Sequence, residues 1–175
     1  MGYTIDVCRG DEAWNASQVW YLPFDDLNVA VTEGIASWPW REWYYTINVC
    51  NFGISRCGDD DTKLSQQMRR IKGQMLFLRG LAYYNLAGYY QNPPLITDYS
   101  GYSTLDGLYG KNSTYDEVLD QVEKDFSEAM TLLPSRNAGG EWAGGRATSG
   151  AAAGYYARTL MQRHKYNEAL SVLKD

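Results

Sequence analysis

The residues of this chain best suited to holding a ligand are tryptophan and arginine, and they occur together. Trp38 and Trp40 flank Pro39, and Arg41 follows directly. An indole offers a flat apolar face to the C–H groups of a sugar ring, while its N–H meets water or a hydroxyl. A guanidinium can donate a fork of hydrogen bonds to sugar oxygens. Trp142 lies between the pairs Gly139-Gly140 and Gly144-Gly145, where an indole has little else to pack on. These four are the candidate ligand contacts. A Trp at a helix start also serves as a packing staple, and that alternative stays open for Trp38 and Trp40. Composition leans toward half-wet aromatic surfaces, with 15 Tyr and 6 Trp against 4 Phe.

Other chemistries are excluded residue by residue. His164 is the single histidine and sits between Arg163 and Lys165, in a charged turn rather than a pocket. It has no companions for a metal site and no place in a nucleophile–His pair. No phosphate-binding glycine loop followed by Lys occurs, so no cofactor is expected. Asp116, Glu117 and Asp120, continued by Glu123, Asp125 and Glu128, alternate with an apolar stripe and read as mostly water-facing, not as a glycosidase pair. Asp59, Asp60 and Asp61 lack the alternation, the mid-loop Gly and the distal Glu of a calcium loop. They read as a solvated run capping the next helix. Cys50 and Cys57, seven apart, would stand about 10 Å apart on a helix, beyond disulfide reach. They read as small buried hydrophobes, and a bridge involving Cys8 stays open.

The net charge is −5 with no basic cluster, which argues against nucleic acid. No apolar run is long enough to cross a bilayer. The opening MGYTIDVC has no apolar h-region, so it does not read as a signal peptide, nor Cys8 as a lipidated cysteine.

Helices must position these residues. Residues 1–37 read as an irregular N-terminal segment and 38–175 as helical hairpins. Trp43, Ile47, Cys50 and Ile54 repeat at four, three and four, one face of a helix from about Pro39 to Asn51. From Ile71 the chain reads as a helix with a polar entry, and from Met75 to Tyr90 it is apolar on almost every face, which demands enclosure by other helices. Gly73, Gly80, Ala82, Ala87 and Gly88 would let neighbours approach, and Leu78 is expected in the core. Pro93-Pro94 ends this segment. A long loop, 92–113, precedes Thr114-x-x-Glu117, a capping box. The helix after it carries Val118, Val122, Phe126, Ala129 and Leu133 on one face. An Ala-rich helix from Thr148 to about Gln162, a turn at Arg163–Lys165 and a helix from Tyr166 complete the chain. The fold class is therefore all-α, with tetratricopeptide-like antiparallel hairpins and long connecting loops.

Two segments carry a family resemblance. GQMLFLRGLAYYNLAGYYQNPPLIT, Gly73 to Thr97, resembles the AEARFLRALYYFNLVRLYGGVPL pattern of the SusD/RagB family, surface glycan-binding lipoproteins of Bacteroidota. Phe77, Leu78, Arg79, Tyr83, Leu86, Tyr90, Pro94 and Leu95 fall on the usual residue types. GRATSGAAAGYYARTLMQRHKYNEAL, Gly145 to Leu170, is similar to the family's GRATKGAALALLARVYL followed by YxxAL. Tyr44, Ile47 and Asn51 fit its YxxIxxaN helix. Departures are Gln74 in place of Glu, and Gln91-Asn92-Pro93 in place of Gly-Gly-Val. The resemblance covers roughly Trp38 to Asp175 and implies a fragment of a longer protein. It further implies a non-catalytic, outer-membrane, outward-facing glycan binder that delivers oligosaccharide to a SusC-like TonB-dependent transporter. It places aromatic glycan contacts just ahead of the YxxIxxaN helix, where Trp38 and Trp40 stand. The alternatives are a tetratricopeptide-like protein–protein interaction module, which the concave face of a repeat stack suits, and a carbohydrate-active enzyme on a helical scaffold.

Overall fold

The computed structural model describes residues 34–58, 60–100, 110–138 and 144–174. Five α-helices occur among them: α1, Gly34–Cys57; α2, Gln66–Tyr90; α3, Tyr115–Leu132; α4, Ser149–Gln162; and α5, Tyr166–Lys174. Short 3₁₀ turns lie at Asp61–Lys63 and Arg136–Ala138. The chain divides into two units, Met1–Tyr44 and Tyr45–Asp175. Of the first, the described part is the opening of α1. The second holds the rest of α1 and the other four helices.

In the second unit successive helices run antiparallel. Gly53 of α1 meets Met75 of α2, while Asn51 bonds Arg79 and the carbonyl of Gly58 accepts from Lys72. The partner's number rises as the first falls, which fixes the direction. The same test holds between α2 and α3, where Gly80 faces Phe126 and Gly73 faces Leu132 and Leu133. For α3 and α4, Ser149 N–H donates to Pro134 O at one end, and Gln162 bonds the Tyr115 hydroxyl at the other. α4 and α5 close on Ala157, Leu160 and Ala169. This is the all-α, tetratricopeptide-like hairpin stack expected.

α2 lies at the centre, touching α3 and α4 as well as α1. Its glycines explain how. A Cβ on Gly73 would come within 2.9 Å of Leu133 Cγ, and one on Gly80 within 3.1 Å of Phe126 Cε1. Both glycines let α3 approach closely, offsetting the roughly 1 kcal/mol that Gly forfeits in a helix. Gly88, by contrast, has no atom within 4 Å of such a Cβ, so close packing does not account for it. Leu76, Tyr83 and Leu86 are fully enclosed, as are Val118, Val122, Phe126 and Ala129 of α3. An aromatic group ties three helices, with Tyr155 of α4 stacked on Phe126 of α3 at 5.4 Å and edge-on to Phe77 of α2 at 5.7 Å.

Three expectations need correction. Enclosure of α2 is incomplete: Leu78 is 39% exposed and Ile71 equally so, so Leu78 is not core. The face bearing 71 and 78 is the one that α1, α3 and α4 leave open. Second, α1 begins at Gly34, not near Pro39, so Trp38 and Trp40 lie inside the helix. Proline is favoured in a first turn, which is why the sequence reads as starting there; here the helix runs through it. Third, α2 ends at Tyr90, before the double proline. Gln91 adopts φ 63° and donates its N–H to Ala87 O at 3.0 Å.

The helix ends follow their sequence signals. Thr114 and Glu117 form the expected capping box on α3, with Thr114 N–H donating to Glu117 Oε2 at 2.7 Å. Thr148 caps α4 and Ser65 caps α2. In the acidic run Asp60 caps the 3₁₀ turn, and Asp61 pairs with the buried Lys72 ammonium at 2.8 Å; Asp59 lies outside the described residues. His164 takes φ 60° in the α4–α5 turn, and Cys50 and Cys57 are free and buried. Cys8 and residues 1–33 also lie outside the described residues, as does 101–109 of the long loop.

Urea unfolding checks the corrected core. Leu76→Ala, at 1% exposure, should lower stability by about 2–5 kcal/mol. Leu78→Ala should change it by about 0.5 kcal/mol or less.

Candidate functional site

The four candidate contacts fall into different settings. Trp38 is 51% exposed. Arg41, three residues on and therefore on the same helix face, is exposed, with Glu42 at 3.9 Å from its Nε. Both side chains of that ion pair are more than 70% exposed, so it holds Arg41 weakly. Trp40 is half-buried and leans on Tyr44, ring centroids 4.9 Å apart and tilted by 47°. Two residues along a helix is a rotation of about 200°, so Trp40 points away from Trp38. The helix thus joins Trp38 with Arg41 and separates both from Trp40. Trp142 lies outside the described residues.

A buried polar cluster of the second unit centres on Arg79. Arg79 of α2, 6% exposed, faces Asp125 of α3, which has no exposure. The contact is bidentate, Nε to Oδ2 at 2.8 Å and Nη2 to Oδ1 at 2.7 Å. Nη1 donates to Asn51 Oδ1 at 2.8 Å and to Thr97 O at 3.2 Å. Gln121 Nε2 adds a bond to Asp125 Oδ1 at 2.7 Å. Beside them the Tyr83 hydroxyl donates to Ile96 O at 2.9 Å and accepts from Ile96 N–H at 2.7 Å. Asn51 Nδ2 also donates to Ile96 O, at 2.8 Å. The start of the loop after α2 is therefore held by side chains from α1 and α2.

Burial pushes the Asp125 carboxyl up, against the pull of Arg79. Burial also opposes the charge on Arg79, but the bonds from Asp125 outweigh it and hold the guanidinium above its ordinary value. Four hydrogen bonds from the guanidinium go to fixed partners. The cluster is an internal clamp, and it leaves no reacting group exposed. Nearby, burial raises the Cys50 thiol to about 12, with Arg79 opposing. A thiol so raised is protonated at neutral pH and is no nucleophile.

Asp125 corrects the reading of the α3 carboxylates as water-facing. It lies three residues after Val122 and four before Ala129, which puts it on the apolar stripe. That spacing was the available signal. Glu123 is also largely covered, its side chain 14% exposed, and bonds Lys165 at 2.9 Å and Arg163 at 2.7 Å. Asp116 and Asp120 do face water, and Arg163 reaches both. His164 is exposed, with Nδ1 2.8 Å from the Tyr166 hydroxyl.

The sequence profile of the SusD-like family, described as starch-binding and associating with the outer membrane, matches residues 6–161. The chain belongs to the SusD-like family. No curated protein matches it in sequence. Among solved structures, a SusD superfamily protein from Bacteroides vulgatus ATCC 8482 superposes with TM-score 0.81 at 20% identity, over 99% of this chain and 36% of its own. Surface glycan-binding protein A from Bacteroides fluxus gives 0.78 at 18% identity, over 96% and 36%. A laminarin-binding SusD-like protein gives 0.75 at 23% identity, over 91% and 33%. These likenesses support the fold. This SusD-like chain spans about a third of the length of those relatives. Among its described residues no helix is long and apolar enough to cross a membrane.

Two measurements test the clamp. Asp125→Asn or Arg79→Met strands a buried partner, and each should cost about 3–5 kcal/mol in urea unfolding. Peptide mapping after iodoacetamide at pH 8 should find Cys50 unmodified in the folded chain and alkylated in denaturant.

Proposed function

We propose that the chain is part of a non-catalytic protein of the outer-membrane surface that binds oligosaccharide and passes it to a SusC-like TonB-dependent transporter. The observation that carries this reading is the family profile spanning residues 6–161, with its starch-binding, outer-membrane description. The names of the neighbours point the same way, toward glycans and laminarin.

Trp38, Trp40, Arg41 and Trp142 are the contacts we assign to this function. Trp38 supports it physically. The residue is half exposed, so a sugar can stack on it without opening the core. Arg41 shares that face and retains N–H donors for sugar hydroxyls. Trp40, leaning on Tyr44, contributes by holding the aromatic group in place and through whatever part of its ring stays accessible.

A glycan array identifies the sugar, and calorimetry with that sugar tests the residues. Trp38→Ala should weaken binding roughly tenfold, about 1.4 kcal/mol, with the circular-dichroism spectrum unchanged. Trp40→Ala should weaken it by less. An array with no carbohydrate bound sinks the function. Native affinity in both variants removes this site.

A further inference from the structure

Over most of its length α2 keeps a single strip within reach of solvent, and the spacing of that strip is regular. Ile71, Gln74, Leu78, Leu81, Asn85 and Gly88 follow at three, four, three, four and three residues, and none is buried. Between Ile71 and Gly88 only Met75 and Tyr84 also escape burial. Met75 lies against Gly53 of α1, and Tyr84 meets Tyr155 of α4 edge-on at 6.0 Å. Alternation of three and four is the seam along which one helix packs lengthwise on another. Polar residues at seam positions, here Gln74 and Asn85, fix the register of such a contact.

α4 runs parallel to this seam and borders it. Gln74 Nε2 donates to Ala147 O at 2.8 Å just ahead of α4, and further along Arg158 holds its guanidinium 5.6 Å from the centroid of the Tyr84 ring. Gly150, Gly154 and Arg158 follow at steps of four on one exposed face of α4, with Met161, 52% exposed, three residues on. A Cβ on Gly88, Gly150 or Gly154 would meet nothing within 4 Å. Gly88 and Gly154 stand inside helices, where glycine forfeits about 1 kcal/mol, and no contact at the missing Cβ offsets that loss. A helix laid between α2 and α4 would, because absent side chains let its backbone come close.

We propose that the groove between α2 and α4 takes one amphipathic helix of a partner protein, apolar along its seam and carrying carboxylates on the flank that meets Arg158. The seam supplies the shape, since its apolar members Ile71, Leu78 and Leu81 are aliphatic and lie in a row that matches a helix rather than a flat ring. Charge supplies the choice of partner. Neither α2 nor α4 contains an Asp or Glu, whereas α3 contains six. Lys72 and Arg79 of α2 are turned to Asp61 and Asp125, so Arg158 is the charge that stands beside the seam. The net −5 of the chain acts at a distance, where salt screens it beyond about 8 Å. At contact the groove decides, and it favours an acidic flank over a basic one. The proposal does not depend on the glycan-binding reading.

The probe is a designed helical peptide of about 18 residues, the length of the seam at about 1.5 Å per residue, with leucine at its seam positions and glutamate on both flanks. A second peptide carries lysine in place of glutamate. Calorimetry should find the glutamate peptide bound saturably and the lysine peptide about tenfold weaker. Leu78→Glu and Arg158→Glu should each weaken the glutamate peptide about tenfold. Arg158→Glu should also tighten the lysine peptide, which a merely structural arginine would not do. Gly154→Leu should abolish binding and raise the urea midpoint, since the new side chain fills the groove and leaves the fold alone. A glutamate peptide that fails to bind overturns the proposal, and so does equal binding of both peptides that ignores Arg158→Glu. Leu78→Cys that resists maleimide in the native protein overturns it as well, because the protein's own chain then fills the groove. A concentration-dependent dimer that Gly154→Leu dissolves overturns it in favour of a second copy.

Discussion

The arrangement of the second unit depends on where the charge of Arg79 goes. A guanidinium in the middle of a buried helix is tolerable only if nearly all of its donors are met. Here four bonds reach three separate pieces of chain: Asp125 on α3, Asn51 on α1, and Thr97 in the loop that leaves α2. Hydrophobic contact is non-directional and would tolerate helices rotated or slid against one another. A bidentate pair is not so forgiving, because the fork matches a carboxylate in one orientation. Arg79 therefore sets the register of α2 against α3, and Asn51 sets that of α1 against both.

A second electrostatic tie works differently. Arg163 and Lys165, in the turn between α4 and α5, reach back to Asp116, Asp120 and Glu123 on α3. Asp116 and Asp120 are more than 60% exposed, so water and salt screen most of that attraction. The inner clamp dictates geometry, and the outer one adds modest attachment to a hairpin already held by Leu160, Ala157 and Ala169.

Much of this was legible in the sequence where a local rule acts alone. The capping box at Thr114, the stripe from Val118 to Leu133 and the turn at Arg163–Lys165 are decided within a few residues, and each appears as read. The misreadings share a different cause. Leu78 is exposed because, among the described residues, α1, α3 and α4 leave that face of α2 uncovered, a fact of packing that no window of sequence contains. Asp125 hides because its partner is 46 residues away. Among the site residues, the helix start mattered most. Placing it near Pro39 left Trp38 ahead of the helix and Trp40 in its first turn, whereas on a helix from Gly34 both are helical and their two-residue spacing turns them apart. Arg41, three residues from Trp38, shares its face for the same reason.

The Tyr83 hydroxyl has a consequence for how such a protein can change. By both giving and taking a hydrogen bond at Ile96, the phenol does what the backbone of a neighbouring strand would do, and does it from a helix. The direction in which the chain departs is thus written into α2 and not into the loop. On the return side the Ser113 hydroxyl accepts the N–H of Leu95, and Ser113 N–H reaches Pro93 O. Both ends of the excursion are pinned to one short stretch, like a handle fixed at its two roots. The helices thus dictate where this excursion leaves the stack and where it returns.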